Sequence, residues 1–521
     1  METLGIAISS LVLAALFFSY RVLNWAYLRP KRVEKFLRKH GLRGNEYRFP
    51  YGDSMELIRS GERSEPKPIG LEDDIKSRVS GFVAKTIQTY GNCCFIWFGP
   101  NPVIILSDAE LVKEVLTKPE TYGQVENANP LVKLFFTGVV SYEGEKWIKH
   151  RKILNPGFHL ENLKLMIPAF KWSCEGVLNK WEEFIMSSDG SAEIDVWPYL
   201  QDITSEAISR TAFSSSYEEG KKIFQLQREQ ADYVVEASRS LYIPGSQYFP
   251  TKRNRRMKEI EREIQVMTSA IIDRRIKEIK SGEPSGSSSS DLLRMMLESN
   301  FQEIEQHGSN KSFGLTVREI VEECKLFYFA GQETTSALLS WTMVLLSRYP
   351  EWQEEARREV LGVFGKEGTP HSEGLNHLKI NMILLEVLRL YPPVISYGRR
   401  AKEEINLGRR FRLPAGINIS LQIMFLHHST EIWGEDALSF NPERFREGAA
   451  KAQRGNGIFF PFGWGKRMCI GQVFTMLEAK IVIAMILQKF CFQLSPCYVH
   501  APFFSMTMLP QHGAPLILRK L

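Results

Sequence analysis

The chain has 521 residues, of which 44% are hydrophobic and 24% charged, and its net charge is +6. This length is sufficient to bury a large core, and the small net charge, with no long basic stripe interleaved with aromatic residues, excludes a nucleic-acid groove. Seven cysteines without regular spacing argue against a disulfide framework and favour a reducing compartment for the folded part.

The amino terminus is the most apolar part of the chain. No charged residue occurs from Thr3 to Tyr20, which is about the length that a helix needs to cross the hydrocarbon core of a membrane. Glu2 precedes this segment, and the bases follow it: Arg21, Arg29, Lys31, Arg32, Lys35, Arg38 and Lys39. A cleaved signal peptide would begin with bases, and a buried core helix is the other alternative. The observed order favours an uncleaved, single-pass anchor in membrane lipid, with the rest of the chain in the cytosol.

We divide the chain into three parts on this basis. Residues 1–28 form the anchor, residues 29–50 a basic and Pro-containing linker, and residues 51–521 one folded domain. The patch SGEPSGSSSSD, Ser281 to Asp291, predicts a flexible surface loop and not a second linker, because the sequence has a helical pattern directly before and after it.

The folded part is mainly α with a minor sheet. Short strands are predicted for NCCFIWFG, PVIILS and the closing PLILRKL. Helices are predicted for KWIKHRKIL, NRRMKEIEREIQVMTSAIIDRRIKEIK and MILLEVLRL. The longest helix begins at a capping box of Thr316 and Glu319 and meets no proline before Pro350, so it has about 30 residues and a length of ~45 Å. A helix this long and apolar runs through the middle of a domain.

One cysteine has unusual neighbours, in the segment PFGWGKRMCIGQ at residues 461–472. A lone cysteine is usually a buried structural residue, but this one belongs to a ten-position pattern, F-x-x-G-x-R-x-C-x-G. The pattern is formed by Phe462, Gly465, Arg467, Cys469 and Gly471. A thiol remains a thiolate at neutral pH only beside a metal, a helix amino terminus or free backbone amides. An apolar helix follows from about Val473. On these residues the chain resembles the cytochrome P-450 family of haem-thiolate monooxygenases.

The resemblance implies a cytochrome P-450 fold and a haem b cofactor, iron protoporphyrin IX, with Cys469 as the axial ligand of its iron. Gly465 and Gly471 would let the backbone pass close to the macrocycle and turn into the following helix. Phe462 would pack near the sulfur and keep water away from it. Arg467 would bind a haem propionate with paired donors.

Three more residues resemble the family's propionate contacts. In EKWIKHR, Trp147 and Arg151 are four residues apart and so lie on one face of a helix. The alternative for Trp147 is a core or interface anchor. Arg399 matches a position that often binds the second propionate, although its neighbour Arg400 leaves the register open.

The long helix contains AGQETT, which fits the family's oxygen-binding element. Ala330 and Gly331 would border the haem, with Gly331 opening a groove for dioxygen. Thr334 would hydrogen-bond the bound oxygen, and Glu333 would bring protons from solvent. The alternative is a hydroxyl bonded to its own helix and a surface carboxylate.

A charge triad is predicted from two separate motifs. In LLEVLRLYPP, Glu386 and Arg389 are three residues apart on one helix face, which alone indicates an ordinary surface pair. The resemblance adds Arg444, from the segment PERF, to a buried triad that fixes the loop leading to Cys469. Its role would be structural and not catalytic.

Partners and location follow from the resemblance. The helix of Trp147 carries a basic run of Lys146, Lys149, His150, Arg151 and Lys152. Such a run is usually a solvated face, but in this family the cysteine side receives the acidic NADPH-cytochrome P-450 reductase. The flanking segments look most like plant microsomal members that oxidise triterpenoids, secoiridoids and some gibberellins. This implies the endoplasmic reticulum membrane, with the catalytic domain on the cytosolic side.

The expected function is therefore a monooxygenase that uses dioxygen to hydroxylate an apolar terpenoid, with an aldehyde or acid as later products. A triterpenoid is the first choice, and a secoiridoid or gibberellin the alternative. Candidate pocket segments are residues 129–140, 241–250, 327–331, 392–397 and 502–508. Two other classes stay open: a haem-thiolate isomerase or dehydratase that does not use dioxygen, and a membrane-anchored binding or scaffold protein without activity.

Overall fold

The structure, a computed structural model, describes residues 2–61, 68–126, 129–213, 217–281, 291–376, 378–452 and 458–521. Apart from its two end residues, the predicted loop at Ser281 to Asp291 lies outside the described residues.

Helices dominate the described chain. In chain order they are α1 (Glu2–Leu23), α2 (Arg29–Lys39), α3 (Ser54–Gly61), α4 (Lys76–Tyr90), α5 (Ala109–Thr117), α6 (Gly144–Leu154), α7 (Leu160–Lys164), α8 (Ile167–Met186), α9 (Val196–Phe213), α10 (Tyr217–Arg239), α11 (Lys252–Ser281), α12 (Leu292–Gln306), α13 (Val317–Arg348), α14 (Pro350–Phe364), α15 (Ser372–Leu375), α16 (Ile380–Leu390), α17 (Ile423–His427), α18 (Thr430–Trp433), α19 (Ala449–Ala452) and α20 (Gln472–Lys489). The three predicted helices lie within α6, α11 and α16.

The strands are short. They are β1 (Arg43–Gly44), β2 (Cys93–Phe98), β3 (Asn101–Leu106), β4 (Tyr122–Gly123), β5 (Ser191–Asp195), β6 (Ser396–Ala401), β7 (Ile405–Leu407), β8 (Phe411–Leu413), β9 (Asn418–Gln422), β10 (Phe490–Leu494), β11 (Pro502–Phe504), β12 (Met508–Pro510) and β13 (Pro515–Lys520). The largest sheet has the order β1-β2-β3-β9-β6-β4, and a smaller one has the order β10-β13-β5. Strands β11 and β12 form a separate antiparallel hairpin. The predicted fold class, mainly α with minor sheets, is confirmed.

The amino-terminal helix is long and exposed. Among the described residues, one helix is long and apolar enough to cross a membrane, and α1 supplies its apolar part. A π-helical turn at Asn24–Leu28 joins α1 directly to α2. Helix α2 buries Leu37, and β1 pairs with β2 in the main sheet. The segment predicted as a linker, residues 29–50, is therefore helix and strand packed against the domain, and the two boundaries remain our proposal.

Helix α13 runs through the centre of the domain. Its amino terminus has the predicted capping box, in which Thr316 Oγ1 accepts the Glu319 backbone N–H at 3.2 Å. Every residue from Thr335 to Ser347 is buried, and the helix packs against α9, α11, α16 and α20. It ends at Arg348, because Pro350 begins α14. Helices α9 and α20 and the β11–β12 hairpin thus surround the helix that carries AGQETT.

Candidate active site

Cys469 lies on a tight loop that leads into α20. Gly463 and Gly465 have φ angles of 75° and 71°, a left-handed conformation that favours glycine. A Cβ at Gly465 would also lie 3.2 Å from the Leu116 carbonyl oxygen. The Cys469 N–H donates to the Phe462 carbonyl oxygen at 2.8 Å. Phe462 therefore holds the loop through its backbone, and the predicted shielding of the sulfur by its ring stays a prediction.

The Cys469 sulfur lies at the amino terminus of α20. Burial raises the pKa of the thiol, while the Gly471 amide, the Arg151 guanidinium and the Gln472 amide lower it. The side chain nevertheless keeps accessible surface, which fits a sulfur at the wall of an internal cleft. Gly471 has a φ of −86°, which any residue adopts. A Cβ there would lie 3.9 Å from the sulfur, so glycine keeps space beside the sulfur free.

Two of the three predicted arginines join the cysteine loop to α6 and the residues before it. Arg151, on α6, donates to the Met468 carbonyl oxygen at 3.0 Å. Arg467 donates to the Tyr142 carbonyl oxygen at 2.7 Å, and its guanidinium lies 4.7 Å from the centre of the Trp147 ring. Trp147, one of the predicted haem contacts, thus stacks on Arg467 of the cysteine loop.

Arg399, on β6, completes a group of three half-buried cations. Burial lowers the pKa of Arg399, and burial and then repulsion from Arg399 lower the pKa of Arg467 to about 10. The neighbouring Arg400 forms an ion pair with Glu126 at 2.6 Å. In contrast, none of the three predicted arginines forms an ion pair with a carboxylate in the part of the chain that the structure describes. Arg399 is therefore the one of the two neighbours that is left for a propionate, and its inward orientation stays a prediction.

This arrangement fits an iron porphyrin. A single cysteine sulfur at a helix amino terminus is the donor by which a thiolate-ligated haem is held. Guanidinium groups bind carboxylates with strong, paired hydrogen bonds, and haem carries two propionates. The unpaired, mutually repelling Arg399 and Arg467 would each gain a counter-charge. The cysteine thus suits the iron, and the arginines suit the propionates, of the haem that the sequence predicts.

The AGQETT segment makes contacts of its own within the domain. The Thr334 hydroxyl donates to the Ala330 carbonyl oxygen at 2.8 Å, so it bonds to its own helix. A Cβ at Gly331 would lie 2.8 Å from Ile208 Cδ1 on α9, so the missing side chain of Gly331 permits the close approach of α9. The roles of Ala330, Gly331 and Thr334 toward dioxygen stay predictions.

Glu333 is largely enclosed and is not the surface carboxylate of the alternative interpretation. Its Oε1 accepts a hydrogen bond from the Thr507 hydroxyl at 3.0 Å. Burial raises the pKa of Glu333; Thr507 and Arg228 lower it, and Asp232 raises it. A carboxyl group whose pKa is raised by burial is more readily protonated than an exposed one, and general acid catalysis needs such a proton donor.

The predicted triad is formed and buried. Arg389 donates to both carboxylate oxygens of Glu386, at 2.8 and 2.7 Å, and neither side chain is exposed. Arg444 approaches Glu386 less closely, with 3.4 Å between Nε and Oε1, and binds the Trp433 carbonyl oxygen at 3.1 Å. Arg389 also donates to the His427 carbonyl oxygen at 2.8 Å. The triad therefore fixes the backbone upstream of the cysteine loop.

Two residues that hold the start of this loop were missed from the sequence. The Tyr397 hydroxyl lies 2.9 Å from both the Phe460 and the Pro461 carbonyl oxygens. His427 Nε2 accepts the Phe460 N–H at 3.1 Å, and burial lowers the pKa of this histidine well below its usual value, so it is neutral. Tyr397 belongs to a segment predicted as pocket lining, and no local pattern marks either residue.

An apolar cluster lies beside α13, on the side where a substrate is expected. Its buried members are Leu131, Val132, Phe135, Ala231, Val234, Ala237 and Met257, and Leu134, Phe136, Tyr233, Phe329 and Met506 pack against them. Three of the predicted pocket segments meet here, at residues 129–140, 327–331 and 502–508. The segment at residues 241–250 does not join them: its Ile243 and Phe249 are 56% and 65% exposed. Helix α10, which the sequence analysis did not single out, forms one wall.

The basic run on α6 is not one solvated face. His150 is fully buried and contacts Glu323 at 2.6 Å, while Arg151 turns toward Cys469. Lys146 and Lys152 form ion pairs with carboxylates on neighbouring helices, at 3.2 and 2.6 Å. Part of the run is therefore paired or turned inward within the domain, and its role as a docking surface stays a prediction.

Sequence comparisons place this site in a known context. The sequence model of the cytochrome P-450 family matches residues 72–516. The chain is 52% identical to cytochrome P-450 CYP72A219 of Panax ginseng, over 98% of this chain and 97% of the relative. It is 49% identical to 7-deoxyloganic acid hydroxylase of Catharanthus roseus, over 97% of each chain. It is also 49% identical to 11-oxo-beta-amyrin 30-oxidase of Glycyrrhiza uralensis, over 96% of this chain and 95% of the relative.

A solved structure has the same fold. The retinoic acid-bound cyanobacterial CYP120A1 superposes with a TM-score of 0.75 at 21% identity, over 92% of this chain and 99% of that chain. The likeness at this identity concerns the architecture alone.

Proposed function

This chain belongs to the cytochrome P-450 family and is one of its monooxygenases, and from that premise we propose that it is a plant microsomal enzyme that hydroxylates an apolar triterpenoid. The observation that carries the proposal is the presence, in one domain, of the Cys469 loop at the start of α20 and of an apolar cluster that includes Phe329 of α13. The alcohol is the first product, and further turnover gives an aldehyde or acid.

We propose haem b as the cofactor. The Cys469 thiolate would bind its iron, and Arg151, Arg399 and Arg467 would bind its propionates. Amides at the start of α20 and the Arg151 guanidinium lower the pKa of the thiol against the effect of burial, and so favour the thiolate. When bound, the haem supplies the redox and dioxygen chemistry, which no protein side chain provides.

The protein residues contribute positioning, proton transfer and the exclusion of water. The apolar cluster would hold the substrate away from solvent. Glu333 would hold the proton, since burial raises the pKa of its carboxyl group. Thr334 stands one residue further along α13, and its hydroxyl, which donates to Ala330, has free lone pairs to accept a hydrogen bond in return.

The choice of a triterpenoid rests on the chemistry of the cluster. Its members are aliphatic or aromatic, with the Tyr233 hydroxyl as the one polar tip among the described side chains. Lys325 lies behind it but is buried, paired with Glu261 and bonded to the Leu134 carbonyl oxygen at 3.0 Å. A continuous apolar surface of this kind suits a large hydrocarbon skeleton. This supports the choice of the relative whose name contains beta-amyrin as the guide to the substrate class.

We propose NADPH-cytochrome P-450 reductase as the electron donor and the endoplasmic reticulum membrane as the location. Helix α1 would anchor the chain in the bilayer, with the domain on the cytosolic side, because the bases follow the apolar segment.

The experiment is turnover in microsomes that contain the protein and the reductase. The substrates are amyrin-type triterpenoids, 7-deoxyloganic acid and a gibberellin precursor. We expect NADPH-dependent addition of one oxygen atom to a triterpenoid and little conversion of the two acids. Preferred oxidation of an acid would overturn the substrate class. Conversion without NADPH or dioxygen would instead establish the isomerase or dehydratase alternative.

A further inference from the structure

The β11–β12 hairpin is fastened to α13 at two points on one side of that helix. The Trp341 Nε1–H donates to the Met508 carbonyl oxygen at 2.9 Å. The Thr507 hydroxyl donates to Glu333 Oε1 at 3.0 Å. Glu333 and Trp341 are separated by about two helical turns, so the hairpin lies along the helix. Its position relative to the Glu333 carboxyl is thereby fixed.

The turn of the same hairpin also reaches the apolar cluster. Met506, which immediately precedes Thr507, packs against the buried members of the cluster. Thr507 itself is only 2% exposed, and the Ser505 N–H donates to its carbonyl oxygen at 3.2 Å. A substrate that contacts Met506 would therefore shift the turn of the hairpin. The next residue in that turn, Thr507, forms the hydrogen bond with Glu333.

The Glu333 carboxyl has few other partners. The charged groups that influence it are Arg228 and Asp232, both on α10, and they act in opposite directions. The hairpin contributes no charge to it but one hydroxyl donor. Because Thr507 donates to Oε1, Oε2 is the atom left to carry a proton.

We propose that Thr507 is a positioning residue for proton delivery, and that the hairpin turn which bears it links the occupant of the apolar cluster to the orientation of Glu333. The proposal rests on the role given to Glu333 in the proposed function. Thr507 would act through the hydrogen bond that it donates to Glu333.

The first test uses the full-length protein and its infrared carboxyl bands. Subtracting the spectrum of Glu333→Gln isolates the Glu333 carboxyl, which is then titrated with pH. Thr507→Val removes the hydroxyl donor at similar volume, and Thr507→Ser keeps it. Since the hydroxyl stabilises the ionised carboxylate, we expect Thr507→Val to move the midpoint to higher pH and Thr507→Ser to leave it near the wild-type value. An unchanged midpoint in Thr507→Val would overturn the proposal.

The second test measures coupling, the fraction of NADPH electrons that appear in product and not in peroxide. We expect Thr507→Val to lower coupling severalfold, Thr507→Ser to restore it, and Thr507→Val to have no further effect in a Glu333→Gln background. An equal loss in both backgrounds would show that Thr507 only supports the hairpin. If the wild-type protein shows no thiolate-type carbon monoxide spectrum, the proposed function is refuted. The infrared titration of Glu333 does not depend on that spectrum, so the two failures can be told apart.

Discussion

The cysteine side of the site, which is the loop at residues 461–472, and the substrate side, which is the apolar cluster, are built in different ways. On the cysteine side, the loop at residues 461–472 brings together glycine turns, a helix amino terminus and the sulfur within one short segment. On the substrate side, the apolar cluster draws on loop 131–136, helices α10 and α11, Phe329 and Met506. The first side is encoded locally, and the second exists only after the chain has folded. Substitutions should therefore act differently on the two sides.

The largest effect is expected from the triad upstream of the cysteine loop. Arg389→Leu leaves the Glu386 carboxylate buried without its bidentate partner, which costs about 3–5 kcal/mol. Denaturant titration followed by the haem-thiolate spectrum would measure the loss. The control is Arg318→Leu, because the Arg318 side chain is 80% exposed where it pairs with Glu322. Similar midpoints for both variants would show that the cysteine side does not depend on this buried pair.

A smaller effect is expected at the propionate arginines. Arg399→Leu should weaken haem retention about tenfold to a hundredfold, because a charge-assisted hydrogen bond contributes ~1.5–3 kcal/mol. Transfer of haem to an apo-globin would measure it. Arg400→Leu is the matched control, since Arg400 is paired with Glu126. Equal haem loss from both variants would contradict the inward orientation of Arg399.

The third prediction concerns α13, the central helix. Gly331→Ala places a methyl group 2.8 Å from Ile208 Cδ1, and such overpacking costs about 1–3 kcal/mol. In an Ile208→Ala background, which removes both Cδ1 and the Cγ1 atom at 2.9 Å, Gly331→Ala should lower the free energy of unfolding less than it does in the wild type. Gly362→Ala on α14, where no atom lies within 4 Å of the new methyl group, should be neutral or slightly stabilising. If Gly331→Ala leaves the free energy of unfolding unchanged, α9 can shift to make room for the methyl group.

The smallest effect concerns the capping box of α13. Burial raises the pKa of Glu319, but the Thr316 amide, Lys146 and Lys149 lower it more. The resulting pKa is about 2. Its contribution to stability is therefore complete above the unfolded value of 4.5 and is lost as the pH falls toward 2. Glu319→Gln should cost about 1 kcal/mol at pH 7. The difference from the wild type should shrink in acid, and a constant difference would exclude this linkage.

The same contrast explains what the sequence could predict. The fold class and the α13 capping box follow from short patterns with fixed spacing. The approach of Arg151 to the cysteine loop was expected only from the family resemblance, because the two segments are distant in sequence. Tyr397 and the contribution of α10 could not be predicted, because tertiary packing alone brings them to the site. The carboxylates that pair with the basic run on α6, and the contact between Ile208 and Gly331, are likewise not visible in a local motif.

The most direct test of the account is the reduced carbon monoxide difference spectrum of two single variants. Cys469→Ser should lose the thiolate-type band completely. Cys497→Ser, which replaces another exposed free cysteine, should keep it. A wild-type protein that binds no haem, or a Cys469→Ser variant with an unchanged band, would contradict the assignment of Cys469 as the iron ligand.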